Sequence, residues 1–110
     1  MLDFGNSPFL REVYWVDAKL EVVVSLKATG EPTSIRIEAL RDPRTGRCKT
    51  RAYRLKDVTL QPTYPKKGDD FDREPGEYEV WVPFDLPWTD GDTSEEVIRQ
   101  ALSGLEEKCQ

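Results

Sequence analysis

The stretch that decides the fold is IRIEALRDPRTGRCKTRAY, residues 35–53. At its centre, Asp42-Pro43-Arg44-Thr45-Gly46 carries Asp at the first turn position, Pro at the second, and Gly where a left-handed residue closes the turn. Apolar and polar residues alternate on both sides of this turn, which is the pattern of strands with one buried face. The stretch therefore predicts an antiparallel β-hairpin.

The register of this hairpin follows from taking Asp42 opposite Arg47 as the closing pair. On the side that faces the core, the facing pairs are then Arg41 with Cys48, Ala39 with Thr50, and Ile37 with Ala52. On the outer side, they are Leu40 with Lys49, Glu38 with Arg51, and Arg36 with Tyr53. Glu38 and Arg51 carry opposite charges, and an arginine can stack on a tyrosine ring, so the register makes chemical sense on both faces.

Two more strands are predicted before the hairpin and one after it. Aromatic and β-branched residues between Leu10 and Val16 suit a first strand. A weak turn at residues 17–19 separates it from a second strand at 20–28, in which apolar residues alternate with polar ones. Alternation returns at residues 77–84, where Pro83 indicates an edge or an end of the fifth strand.

One helix is predicted near the C-terminal end of the chain, over roughly residues 94–106. Thr93 and Glu96 form a capping-box pattern, with Asp92 and Glu95 as an equally good frame. An apolar stripe at helical spacing follows, made of Val97, Ile98, Ala101, Leu102 and Leu105. This stripe favours docking of the helix on one face of the sheet.

Together these elements predict a single α+β domain over residues 1–110 that is mostly β. We expect a five-stranded antiparallel sheet, or a small partly open barrel, with one C-terminal α-helix. The parity of the apolar residues changes along the fourth strand, which predicts a bulge or a strand break between Ala52 and Asp57. The expected boundaries are an irregular segment at 1–9, strands roughly within 10–60 and 77–84, and a long loop at 61–76.

The composition argues against most enzyme chemistry. The chain has no His, which removes the commonest general base and the commonest metal ligand, and no motif such as G-x-S-x-G pairs a nucleophile with a base. Acidic stretches at residues 69–74 and 90–92 do not match an EF-hand loop, and we interpret them as solvated loops. We therefore expect no metal and no cofactor; a carboxylate-based enzyme is the least favoured hypothesis.

The chain is expected to be cytoplasmic and to have no membrane segment. Its start carries no basic and apolar leader, and its longest apolar run is far too short to cross a bilayer. It has two cysteines, Cys48 and Cys109, too few for a disulfide scaffold. We expect Cys48 to be packed in a strand rather than reactive.

The charges of the chain are segregated. Seven cations and one acid lie between Arg41 and Lys56, whereas thirteen acids and two cations lie between Asp69 and Glu107. Strand parity places three cations of the hairpin on one face, next to an aromatic ring and a further arginine. The candidate binding residues are thus Arg36, Arg47, Lys49, Arg51 and Tyr53. An alternative is that acids of the same chain neutralise this stripe, through pairs such as Glu38 with Arg51.

The leading hypothesis is a small non-enzymatic binding or adaptor protein that engages a protein or peptide partner, acidic partners included, through the stripe. The alternative is a nucleic-acid-binding small barrel that uses the basic hairpin and stacks bases on Tyr53. The net charge of −5 disfavours this alternative without excluding it.

A homodimer is a further expectation. The first predicted strand, Val13–Val16, is aromatic on both faces and would be an edge of an open sheet. Open edges are templates for pairing with another chain unless they are blocked. Two copies with segregated charges could therefore pair about a two-fold axis.

Overall fold

The computed structural model describes residues 9–60 and 76–110. Its elements in this part of the chain are β1 (Trp15–Ser25), β2 (Pro32–Arg41), β3 (Cys48–Leu60), β4 (Gly76–Pro83) and α1 (Ser94–Glu107). The strands form one open antiparallel sheet in the order β1-β2-β3-β4. A mostly β domain with one C-terminal helix is confirmed, whereas the sheet is open and does not curl into a barrel. The predicted segment 1–9 and loop 61–76 lie almost entirely outside the described residues.

The prediction of five strands is wrong, because the first two predicted strands are one continuous strand, β1. Val16 faces Leu40 and Ala18 faces Ala39, so that Asp17 is the extra residue of a β-bulge. The predicted turn contains neither Gly nor Pro, the residues that most readily reverse a chain. Since β2 offers a partner along the whole of β1, the irregularity is accommodated as a bulge.

Because of the bulge, the Asp17 side chain lies against the start of α1. Its carboxylate accepts hydrogen bonds from Ser94 Oγ and from Arg41, at 3.0 Å from Nη2 and 3.2 Å from Nε. The hydrogen bond from Ser94, and then that from Arg41, hold the pKa of Asp17 below its ordinary value. The same contact with Asp17 raises the pKa of Arg41. Asp17 thus joins β1, β2 and the first residue of the helix.

The hairpin of β2 and β3 has the predicted register, with all six facing pairs in place. The Asp42 N–H donates to the Arg47 carbonyl at 2.9 Å, which confirms the closing pair. The Asp42 carboxylate accepts from the Arg44 N–H at 2.7 Å and stabilises the turn. Gly46 has φ +76°, a left-handed conformation that favours glycine.

The predicted bulge in β3 is wrong, since this strand keeps one register with both neighbours. The parity of its apolar residues changes because apolar side chains lie on both faces of the sheet here. Ala52 belongs to the core under α1, whereas Tyr53, on the opposite face, contacts Arg36. Leu55 also lies on that second face, where it pairs with Trp81 of β4. We call the face that points away from α1 the outer face.

The helix begins at the Thr93–Glu96 frame of the two that the sequence offered. Thr93 Oγ1 accepts from the Glu96 N–H, and the Glu96 carboxylate accepts from the Asp92 N–H, both at 3.2 Å. The helix ends one residue later than predicted. Its buried face packs mainly over β2 and β3, and the core contains Ile35, Ile37, Ala39, Cys48, Ala52, Val97, Ala101 and Leu105.

The segment that precedes α1 connects the helix to the sheet. Before the helix, Cys48 and Gly91 exchange backbone hydrogen bonds of 2.8 and 3.2 Å, which extends the edge of β3. Gly104 of the helix packs so closely on Pro87 that a Cβ atom would lie 2.7 Å from Pro87 Cδ.

Cys48 is buried, as predicted, and both Cys48 and Cys109 are free thiols. Within the described ranges, no helix has the length and apolarity needed to span a membrane.

Candidate binding surface

Four of the five predicted site residues come together on the outer face, where β2 contributes Arg36 and β3 contributes Lys49, Arg51 and Tyr53. Arg36 lies between two aromatic rings, with its guanidinium carbon 5.2 Å from the centre of Tyr53 and 4.6 Å from that of Trp81. These are cation–π distances, so the rings hold the arginine in place. Trp81 was missed as a site residue, although the alternation of β4 places it on this face.

A buried carboxylate lies beneath this group. Glu38 is only 5% exposed, and its Oε1 accepts a hydrogen bond of 2.6 Å from Arg51 Nε. Its other oxygen lies 3.6 Å from Arg36 Nε, a buried nitrogen for which the described residues provide no hydrogen bond. Two guanidinium groups therefore share one carboxylate. The cluster of Arg36, Glu38 and Arg51 keeps one surplus positive charge.

Arg47 behaves differently from the other predicted site residues. Its guanidinium forms ion pairs with both Asp90, at 2.6 Å, and Asp92. These acids flank Gly91, the residue that pairs with Cys48 at the edge of β3. The hydrogen bond with Asp90 is the largest cause of the raised pKa of Arg47. The stripe is thus neutralised by acids of the same chain at this end, as the alternative interpretation expected.

Lys49 is also partly covered. Its Nζ lies 4.2 Å from the centre of the Tyr14 ring, in the segment that precedes β1. The Arg44 side chain donates to the carbonyl of Leu10 at 3.0 Å and so helps to hold this segment against the hairpin. Arg51 and Arg47 are about equally exposed, at 48% and 47%, but Arg47 pairs with two aspartates, whereas Arg51 shares one carboxylate with Arg36. Of the predicted cations, Arg51 is therefore the exposed one that is less completely neutralised.

A groove opens beside Arg51 where the chain leaves β4. The Phe84 N–H donates to the Ala52 carbonyl at 2.9 Å, and Thr89 Oγ1 accepts from the Thr50 N–H at 2.8 Å. Between these two attachments, residues 85–88 span a short stretch of β3. The groove has a volume of about 280 Å³ and is lined by Arg51, Tyr53, Pro83, Asp85, Pro87 and Trp88, among others.

Trp88 is the most exposed of the large apolar residues in the described part of the chain, at 83%. Sequence reasoning did not include it among the candidate binding residues. Tryptophan is enriched at the centres of protein interfaces because it offers a large apolar area together with a polar N–H. An exposed Trp beside an exposed Arg is therefore the feature of this surface that best fits a binding role.

The carboxylates of Glu38, Asp90 and Asp92 are all engaged by arginines. Within residues 9–60 and 76–110, no three acidic or cysteine side chains are grouped so that they could hold a metal ion. No protein-family model, no curated protein and no solved structure matches this chain.

Proposed function

We propose that this protein is a small binding or adaptor protein that engages a segment of a protein or peptide partner in the groove beside Arg51. The observation that carries the proposal is the juxtaposition, around one groove, of a half-exposed guanidinium and the exposed ring of Trp88. The guanidinium binds a carboxylate of the partner, and Trp88 and Tyr53 contact apolar side chains next to it.

Arg51 suits the role of an anion anchor because it is already held in place. Its Nε bond to the buried Glu38 fixes the guanidinium, so that less side-chain entropy is lost when a ligand binds. The surplus positive charge of the cluster favours an acidic ligand. Asp85 also lines the groove, and we therefore expect a partner segment with one or two acids rather than a polyanion.

Binding of nucleic acid has less support from the same contacts. Tight binding of a phosphate backbone requires several cations that are free to pair with phosphates. Here Arg47 pairs with two aspartates, and Arg36 and Arg51 share Glu38. We expect no mobility shift of single-stranded or duplex oligonucleotides at about 50 mM salt, the condition that most favours such binding. A shift that weakens steeply with added salt would support the nucleic-acid alternative instead.

The experiment that tests the proposal is a selection of random twelve-residue peptides displayed on phage against the immobilised protein. We expect the selected peptides to contain Asp or Glu next to apolar residues. The best peptide is then labelled, and its affinity is measured by fluorescence anisotropy for the wild type, Arg51→Gln and Trp88→Ala. Each change should weaken binding by about tenfold or more, because each removes a charged hydrogen bond or an apolar contact at the centre of the site.

The matched control is Arg99→Gln, which removes another exposed arginine from a distant position, on α1. It should leave the affinity unchanged. Thermal unfolding of each variant shows whether it is folded at the temperature of the binding assay. Selection of no acidic peptide, or equal affinities for all four proteins, would contradict the proposal.

A further inference from the structure

In the described part of the chain, the outer edge of β1 is open along its middle. β1 pairs with β2 on one side, and among the described residues its other edge is contacted near Ser25, whose carbonyl accepts from the Gln110 N–H at 2.9 Å. Backbone groups alternate in direction along a strand, so the N–H and C=O groups of Lys19, Glu21 and Val23 point the same way as those of Ser25. Residues 19–23 are thus a template for a further strand.

The helix-facing side of β1 is apolar next to this open edge. Ala18, Leu20 and Val22 are only half-buried, because α1 packs mainly over β2 and β3. Between α1 and β1 lies a groove of about 400 Å³, lined by Ala18, Ile98 and Leu102 among others. On the outer face, Val23 is 69% exposed. The bulge at Asp17 and the charge of Lys19 partly blunt this edge, so a partner strand must accommodate both.

We propose that β1 pairs antiparallel with the β1 of a second copy of this chain, about a two-fold axis perpendicular to the sheet. This pairing forms one continuous eight-stranded sheet, a size that open sheets commonly tolerate. A perpendicular axis keeps both helices on the same face. The apolar grooves of the two copies then lie on the same face of the sheet, each beside the β1 strand of the partner.

The charges on β1 disfavour the registers centred on Lys19 and on Glu21. If the axis passes beside Lys19, this residue faces the partner's Lys19, and if it passes beside Glu21, that residue faces the partner's Glu21. Both registers place like charges directly opposite each other, which is unfavourable. With the axis beside Leu20, Lys19 faces the partner's Glu21, and the symmetry repeats this pair. We therefore place the axis at Leu20.

This register also fits the two ends of the open edge. It pairs residues 17–23 of one copy with residues 23–17 of the other, between the bulge at Asp17 and the C-terminal segment bound at Ser25. Leu20 faces the partner's Leu20, and Ala18 faces the partner's Val22, on the side of the helices. The sequence predicted a homodimer through Val13–Val16. The structure moves the proposed contact to the middle of β1, away from Trp15.

Sedimentation equilibrium of the full chain tests the proposal. The wild type should have twice the monomer mass of 12.7 kDa, and the dimer should persist at high salt because backbone and apolar contacts supply most of its stability. Lys19→Glu and Glu21→Lys should each raise the dissociation constant by about tenfold or more, since each creates two pairs of like charges. A monomeric wild type at all concentrations would overturn the proposal.

A mixture of the two single variants separates the dimer contact from effects within one chain. Lys19 faces Glu38 and Glu21 faces Arg36 in the β1–β2 pairing, so each variant also changes its own monomer. In a mixed dimer, a chain with two acids faces a chain with two lysines, and tight association should return. The double variant Lys19→Glu/Glu21→Lys should also dimerise with nearly wild-type affinity. Failure of both rescues, with circular dichroism showing folded chains, would overturn the Leu20 register.

Discussion

Two groups of arginines in this molecule differ in how completely acidic side chains neutralise them. Where the sheet meets the start of α1, Arg41 and Arg47 pair with Asp17, Asp90 and Asp92, so that acids outnumber cations. On the outer face, two arginines share the single carboxylate of Glu38. The first group joins the sheet to the start of α1. The second leaves a net positive charge next to the groove beside Arg51. The balance of charge within each contact group, rather than along the chain, therefore determines where positive charge stays available at the surface.

The largest effect on stability is expected from Glu38→Gln, which removes the buried carboxylate that Arg36 and Arg51 share. Removing one partner of a fully buried ion pair costs about 3–5 kcal/mol. Because Arg51 is 48% exposed, we expect a smaller loss in the free energy of unfolding, about 2 kcal/mol. Urea unfolding measures it, and Glu95→Gln, at an exposed i,i+4 pair on α1, is the control with little effect. Equal losses in the two variants would show that burial of Glu38 is unimportant.

A smaller, pH-dependent effect is expected from Asp17→Asn at the junction. The pKa of Asp17 is lowered in the folded state, so its ionised form stabilises the fold above its ordinary pKa of about 3.9. This contribution is lost as the pH falls through the lower, folded value. The variant should therefore be less stable than the wild type at pH 7, and the difference should shrink below about pH 3.9. A difference in unfolding midpoint that stays constant from pH 7 to pH 2 would contradict this assignment.

The smallest effect is expected from Arg47→Gln. Its ion pairs with Asp90 and Asp92 lie at the surface, where salt screens them. Thermal unfolding at low salt should show a lower midpoint than that of the wild type, and the difference should nearly vanish at about 1 M salt. The loss caused by Glu38→Gln should survive the same salt concentration, because its carboxylate is buried. If the drop in unfolding midpoint caused by Arg47→Gln did not depend on salt, the two groups of arginines would not differ in their exposure to solvent as we describe.

The features that the sequence predicted correctly are those coded by nearby residues. The hairpin register follows from the turn at residues 42–46, and the start of the helix follows from the Thr93–Glu96 cap. Both depend on contacts between residues a few positions apart. The apolar stripe of the helix likewise predicts the buried residues Val97, Ala101 and Leu105 from spacing alone, whereas Leu102 of the same stripe is 36% exposed.

The features that were missed depend on partners far along the chain. Whether Asp17 forms a turn or a bulge is decided by β2, and its carboxylate binds Ser94, 77 residues away. The partners of Arg47 lie 43 and 45 residues away, so strand parity could not reveal that this cation is neutralised. Trp88 joins the groove because residues on both sides of it attach to β3. None of these contacts leaves a periodic signal in the sequence.

The measurement that tests the central claim most directly is a titration of the ¹⁵N-labelled protein with the best selected acidic peptide, followed by NMR. The chain has three tryptophans, so its indole N–H signals report on the groove through Trp88, on the outer face through Trp81, and on β1 through Trp15. We predict that the Trp88 indole and the Arg51 Nε–H signals shift most, while those of Trp15 and Arg47 do not move. Shifts centred on Arg47 and residues 90–92, with the Trp88 signal unchanged, would contradict the account.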